Sequence, residues 1–119
     1  MKILLDTNFL MVPHQFGVDI FEYLKDYELE TVSPVIDELK KLSRKRGDDG
    51  IAAKVALKLV KDNKVKVVRV KGSADKAILD RAVSEKCAAG TNDKALMQAL
   101  KDSHVKIIRL KQKKFLSEE

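Results

Sequence analysis

The sequence predicts an α/β protein: three layers, α/β/α, around a mostly parallel sheet of five strands. Two observations carry this expectation. Five short apolar runs of strand length recur along the 119 residues. Between them lie segments whose apolar residues repeat at helical spacing, and such alternation implies parallel pairing with helices on both faces. A chain of this length with 45% hydrophobic content suits one domain with one core. We assign it residues 1–110 and expect a basic, flexible tail over 111–119.

The opening run, Lys2 to Leu5, reads as a buried strand and stops at Asp6. Ligands of open α/β sheets bind beyond the carboxyl ends of the strands, so Asp6 is a site candidate; its bland reading is a helix cap. A short helical or irregular stretch through Pro13, His14 and Gly17 follows. A helix is then expected over Val18 to Lys25, with Ile20, Phe21 and Leu24 on one side. Leu29 to Val32 is the second strand. Ser33-Pro34 opens the next helix, with serine as cap and proline at the first helical position. Its inner face holds Val35, Ile36, Leu39 and Leu42. Glu38 borders that face, whereas Asp37 points to solvent. The bland role for Glu38 is an exposed pair with Lys41.

Gly47-Asp48-Asp49-Gly50 marks a turn. The second helix of the resulting hairpin, Ile51 to Lys61, has Ile51, Val55 and Leu59 with Ala52, Ala56 and Val60 as its core stripe. Val65 to Val70 is a partly exposed strand. Two segments then echo each other, Ser73-Ala74-Asp75-Lys76-Ala77-Ile78-Leu79 and Thr91-Asn92-Asp93-Lys94-Ala95-Leu96-Met97. Each opens with a Ser or Thr cap and carries an aspartate two positions on, on the apolar side of the first turn. An acid there gains from the helix dipole, but the dipole does not require a core-facing position, where desolvating a charge is costly. The placement favours a role for Asp75 and Asp93 at the sheet's edge. Between the echoes, Lys86 to Gly90 is the fourth strand, with Gly90 allowing a tight approach to the helix behind it. Val105 to Leu110 is the fifth.

The formal net charge of +6 favours contact with a polyanion, of which nucleic acid is the usual one. The densest basic cluster, Lys40, Lys41, Arg44, Lys45 and Arg46, reads equally well as a grip on phosphates and as a solvated face. No apolar run approaches the ~20 residues that span a bilayer. No signal-peptide pattern opens the chain, so a cytoplasmic location is expected. The single cysteine, Cys87, sits beside two alanines and reads as a small buried apolar residue rather than a nucleophile. His14 and His104 lie at no strand end and read as surface residues.

Asp6, Asp75 and Asp93 follow or nearly follow strands, and Glu38 lies one turn inside a helix that begins at the same edge. Four acids gathered there repel one another unless cations neutralise them. Hard oxygen ligands with no His or Cys cluster select Mg²⁺ or Mn²⁺ over zinc. The implied chemistry is metal-assisted hydrolysis of a phosphodiester.

Four segments, in order and at these spacings, carry a resemblance: Ile3-Leu4-Leu5-Asp6-Thr7-Asn8, Val35-Ile36-Asp37-Glu38-Leu39, Ala74-Asp75-Lys76-Ala77-Ile78-Leu79 and Gly90-Thr91-Asn92-Asp93. The chain resembles the PIN-domain nucleases over essentially its whole length. The resemblance implies a central acidic pocket and cleavage of single-stranded RNA dependent on Mg²⁺ or Mn²⁺. It makes Asp6, Glu38, Asp75 and Asp93 the metal ligands, with Asn8 and Thr91 supporting the acids. Where the family often has a second acid after the position matched by Asp75, this chain has Lys76. Two roles in the family fit, a VapC-type toxin paired with a small antitoxin, and a nuclease of ribosomal RNA processing; a homodimer is expected. Two other classes compete. One is a PIN-like scaffold that binds RNA without cutting it. The other is a receiver-like phosphoacceptor domain, against which the strand Val65 to Val70 ends without an acid.

Overall fold

A computed structural model describes residues 1–119. Strand β1 (Lys2–Leu5) is followed by three short helices, α1 (Thr7–Leu10), α2 (Val12–Phe16) and α3 (Ile20–Tyr23). Then come β2 (Glu28–Val32), the long helices α4 (Ser33–Ser43) and α5 (Asp48–Asp62), β3 (Lys66–Val68), α6 (Ala74–Glu85), β4 (Ala88–Gly90), α7 (Lys94–Asp102), β5 (Ile107–Lys111) and β6 (Phe115–Glu118). The sheet order is β3-β2-β1-β4-β5-β6. Every pairing from β3 to β5 is parallel, and β5 with β6 is antiparallel.

This order fixes the layers. From β1 the chain steps outward to β2 and β3, then crosses back to β4 and steps the other way to β5. Parallel crossovers are right-handed, so reversing the stepping direction moves the connecting helices to the opposite face. Helices α1 to α5 therefore cover one face and α6 and α7 the other. Strand β1 lies at the centre, and Ile3, Leu4 and Leu5 are fully buried, as a strand covered on both faces must be. The expected α/β class and mostly parallel sheet are present.

Several local expectations are corrected. The sheet has six strands, not five, because the segment expected as a flexible tail turns back and pairs along β5, with Leu116 buried against the core. The helix expected over Val18 to Lys25 is the single turn α3, capped by Asp19, whose carboxylate accepts from the N–H groups of Phe21 and Glu22. Ser33 does not cap α4: its hydroxyl donates to the Val70 carbonyl and accepts from the Val70 N–H, tying the start of α4 to the segment after β3. On α5 the buried residues are Gly50, Ala52, Ala53, Ala56 and Val60, while Ile51 is exposed: the inward face is made of small residues, which let neighbouring helices approach.

That approach depends on Gly50. A Cβ there would stand 1.9 Å from the Lys45 carbonyl oxygen, a backbone atom that cannot swing aside. Gly50→Ala is expected to force the α4–α5 turn open and to cost about 2–3 kcal/mol, read as a lowered denaturation midpoint.

Candidate active site

The strand order reverses between β1 and β4, and the crevice beyond the carboxyl ends of two such strands is where open α/β sheets bind ligands. Here one bond joins the two strand ends: the Asp6 N–H donates to the Gly90 carbonyl at 2.9 Å. On the other side of β1, the hydroxyl of Thr31 on β2 donates to the Leu5 carbonyl at 2.6 Å. Gly90 is required where it stands, since an added Cβ would lie 2.9 Å from the ring of buried Phe9 on α1.

Asp6 is buried, with 4% of its surface exposed. One of its oxygens accepts from the Thr7 N–H at 2.8 Å, so it also caps α1; the other accepts from the Thr91 hydroxyl at 2.7 Å. Thr91, fully buried after β4, accepts in turn from the Asp93 N–H at 3.1 Å. Thr91 was expected to cap the helix after β4. Instead its hydroxyl is committed to Asp6, and Asp93 itself is the N-cap of α7, accepting from the Leu96 N–H at 2.8 Å. On the other side, the Thr7 hydroxyl donates to Glu38 at 2.7 Å, which fixes a side chain that is otherwise exposed on α4. The Asn8 carbonyl oxygen accepts from the Asn92 N–H at 3.3 Å. Asp75 does not face the core as expected. It is exposed at the first turn of α6, where Ser73 is the cap, while Ile78 and Ala82 face inward.

Asp6, Glu38, Asp75 and Asp93 line one cleft of about 230 Å³, with Asn8 and Thr7 on its wall. Burial raises the Asp6 carboxyl from 3.8 to about 6; its bonds from Thr91 and Thr7 oppose that rise, and the charges of Asp75 and Glu38 add to it. Asp75 is raised as well, by the partial loss of water around its carboxyl in the cleft and then by the charges of Asp93 and Glu38. No lysine or arginine forms an ion pair with any of the four, and the Glu38–Lys41 pair is not made. In a chain with 24 cationic residues, four mutually repelling carboxylates without a cation are a donor set suited to Mg²⁺ or Mn²⁺. No three of them are close enough to grip one ion together. Mg²⁺ ordinarily takes one or two carboxylates and fills its shell with water and phosphate oxygens, so the set fits without such a cage.

The remaining expected residues fall outside this cleft. Arg44, Lys45 and Arg46 are exposed around the α4–α5 turn, and Lys41 is exposed on α4. Lys40 borders a separate open groove along β3 with Arg69 and Lys71, two cations that the sequence did not single out because they are scattered rather than clustered. His14 and His104 are exposed. Cys87 is buried, and that burial pushes its thiol up, away from the reactive thiolate. No helix is long and apolar enough to cross a membrane.

The chain is 32% identical to Ribonuclease VapC4 of Methanocaldococcus jannaschii, over 96% of its own length and 93% of that protein's. It is 30% identical to Ribonuclease VapC9 of Archaeoglobus fulgidus, over 92% and 82% of the two chains. To the rRNA-processing protein FCF1 of Saccharomyces cerevisiae it is 33% identical, over 84% of this chain and 54% of that one. The model of the PIN-like domain matches residues 3–113, a span that contains all four acids of the cleft, and the chain belongs to that family.

Proposed function

We propose that the chain is a metal-dependent endoribonuclease that hydrolyses phosphodiester bonds of single-stranded RNA. The observation that supports this reading most is the cleft itself: four carboxylates from four separate segments, without one cationic partner, in a chain of net charge +6. The relatives named as ribonucleases support it further. Asp6, Glu38, Asp75 and Asp93 would hold Mg²⁺ or Mn²⁺. When bound, such an ion activates water and neutralises charge on the phosphate.

The chain's own residues prepare that site. Thr91 and the Thr7 N–H immobilise Asp6, Thr7 aims Glu38, and the cap of α7 fixes Asp93 through one oxygen. No side-chain hydrogen bond or ion pair restrains Asp75, which leaves its carboxylate free to adjust to the substrate. Lys40, Lys41, Arg44, Lys45 and Arg46 would attract the RNA backbone over long range, a contribution that weakens with salt.

The test is cleavage of single-stranded RNA with Mg²⁺ or Mn²⁺ and with chelator. Cleavage is expected only with metal. Saturating Mg²⁺ is also expected to raise the melting temperature, by the equivalent of about 2–3 kcal/mol at a hundred times its dissociation constant. The rise should shrink in Asp75→Asn. RNA binding without cleavage under any metal would make the chain a scaffold instead.

Of the two roles, the toxin-like one is supported by coverage, since the match takes in nearly all of the first VapC ribonuclease and about half of FCF1. In that role the chain works in the cytoplasm, as a homodimer held in check by a small antitoxin. Growth arrest on expression of the wild type, but not of Asp6→Asn, would bear this out; cleavage in vitro without arrest would favour RNA processing.

A further inference from the structure

The geometry points to a nucleobase subsite beside the acidic cleft, on the far side of Asn8. This inference rests on the nuclease reading and names how the substrate strand is held. A cavity of about 500 Å³ adjoins the cleft, and Asn8 lines both. The volume lies in the ordinary range of small-molecule sites.

Its chemistry is the opposite of the cleft's. No acid lines it. Val12 and Leu110, both buried, line it with Phe16, which has 39% of its surface exposed. Gln15 and Gln112 face the same space, and neither side chain makes a hydrogen bond within the protein. The NH₂ of Asn8 is likewise uncommitted, its carbonyl oxygen being held by the Asn92 N–H. An aromatic face with amide donors and acceptors around it is what an unstacked base requires: stacking supplies affinity, and amides read the base edge. Lys113 at the rim would meet the phosphate of that nucleotide.

The backbone that carries these groups is unusual. Gln112 and Lys113 are the two central residues of the β5–β6 turn, closed by the Lys114 N–H donating to the Lys111 carbonyl at 3.0 Å. Both are left-handed, with φ of 53° and 57°. Asn and Gly ordinarily fill such turns. Two long side chains are kept there instead, both against this cavity, and residues held in costly conformations cluster at ligand sites. Asn92 anchors the turn's base, its amide both donating to the Leu110 carbonyl and accepting from the Leu110 N–H at 2.9 Å. A protein segment is the other class of occupant; continuity with the cleft through Asn8 and the free amides favour the base.

The test uses the full chain carrying Asp6→Asn, to stop cleavage, and five probes: the tetraribonucleotides A4, C4, G4 and U4 and an abasic tetramer. Calorimetry in Mg²⁺ should show one base preferred. Phe16→Leu, which keeps apolar bulk and removes the stacking face, should weaken the preferred tetramer about tenfold. Gln112→Ala should flatten the preference among the four, and neither variant should change binding of the abasic tetramer. With Asp6 restored, both variants should still cleave RNA but with altered base preference, and Phe16→Leu should show a KM raised about tenfold on the preferred base. If the wild type cleaves and both variants keep its preference, the subsite is overturned and the nuclease reading stands. If the wild type neither binds nor cleaves RNA, the nuclease reading falls and the subsite with it.

Discussion

Asp6→Asn is expected to abolish metal-dependent RNA cleavage, by ~100-fold or more, and at the same time to make the metal-free chain more stable. Both effects come from one carboxylate being buried where a charge is costly. Its pKa rises from 3.8 to about 6, chiefly through burial and with help from Asp75 and Glu38. A rise of that size is worth roughly 3 kcal/mol between the two protonation states. The folded pKa lies above the unfolded one, so between these values the native chain holds a proton that the unfolded chain has released. Stability from this group is therefore fully present below about pH 4, falls as pH rises through the window, and levels off above about pH 6. Asparagine keeps the shape and the bond from the Thr7 N–H and removes the charge. It weakens the bond with Thr91, and a bond to a charged acceptor is worth about 1.5–3 kcal/mol. The net gain at neutral pH is then roughly 1 kcal/mol. Chemical denaturation in chelator should show the variant's advantage growing across that window and constant above it. An equal or lower stability at neutral pH would mean that Asp6 is a structural cap first.

The largest loss of stability is expected from Arg81→Ala. Glu30 on β2 is buried, with 2% of its surface exposed, and one of its oxygens accepts from the Arg81 Nε at 2.9 Å. Its other oxygen has no partner. Arg81 also reaches Glu85, one turn along α6, at 3.2 Å. Removing the guanidinium leaves a carboxylate inside the protein with nothing to balance it, at a cost of about 3–5 kcal/mol. The double replacement Glu30→Met with Arg81→Met should recover most of that loss, because two apolar chains of similar length need no mutual compensation. Equilibrium denaturation of the single and double variants measures this, and a loss below ~1 kcal/mol in Arg81→Ala would show that water reaches Glu30. Arg81 is not in the acidic cleft, so activity per folded molecule should be unchanged.

The sequence made the sheet and the acids readable for physical reasons. A strand that is buried on both faces must be apolar throughout, so Lys2 to Leu5 stands out, and Asp6 is conspicuous because it breaks the run. The paired cap-and-aspartate segments mark where helices leave the sheet edge. The structure brings the four acids found in this way into one cleft. Three features were hidden. Thr91 and Asp93 are both good caps, and only the presence of Asp6 across the crevice decides which one serves. The turn before β6 has no Gly or Asn to announce it, and its lysines disguised a strand as a tail. Glu30 was not singled out, because its partner lies 51 residues away on α6. Each miss is a choice made by a tertiary neighbour that local pattern does not contain.

The stitching of β1 to β4 has a consequence for timing during synthesis. Strand β1 is made well before β4, yet the two are neighbours at the middle of the sheet, and the hydroxyl that holds Asp6 is 85 residues further along. Until Thr91 and β4 have emerged, β1 has no neighbour on that side and the acidic cleft has no second wall. A nascent chain therefore carries its acids dispersed and harmless. On the nuclease reading, the capacity to cut RNA would arrive all at once, when the segment carrying β4 and Thr91 closes on the segment carrying β1 and Asp6.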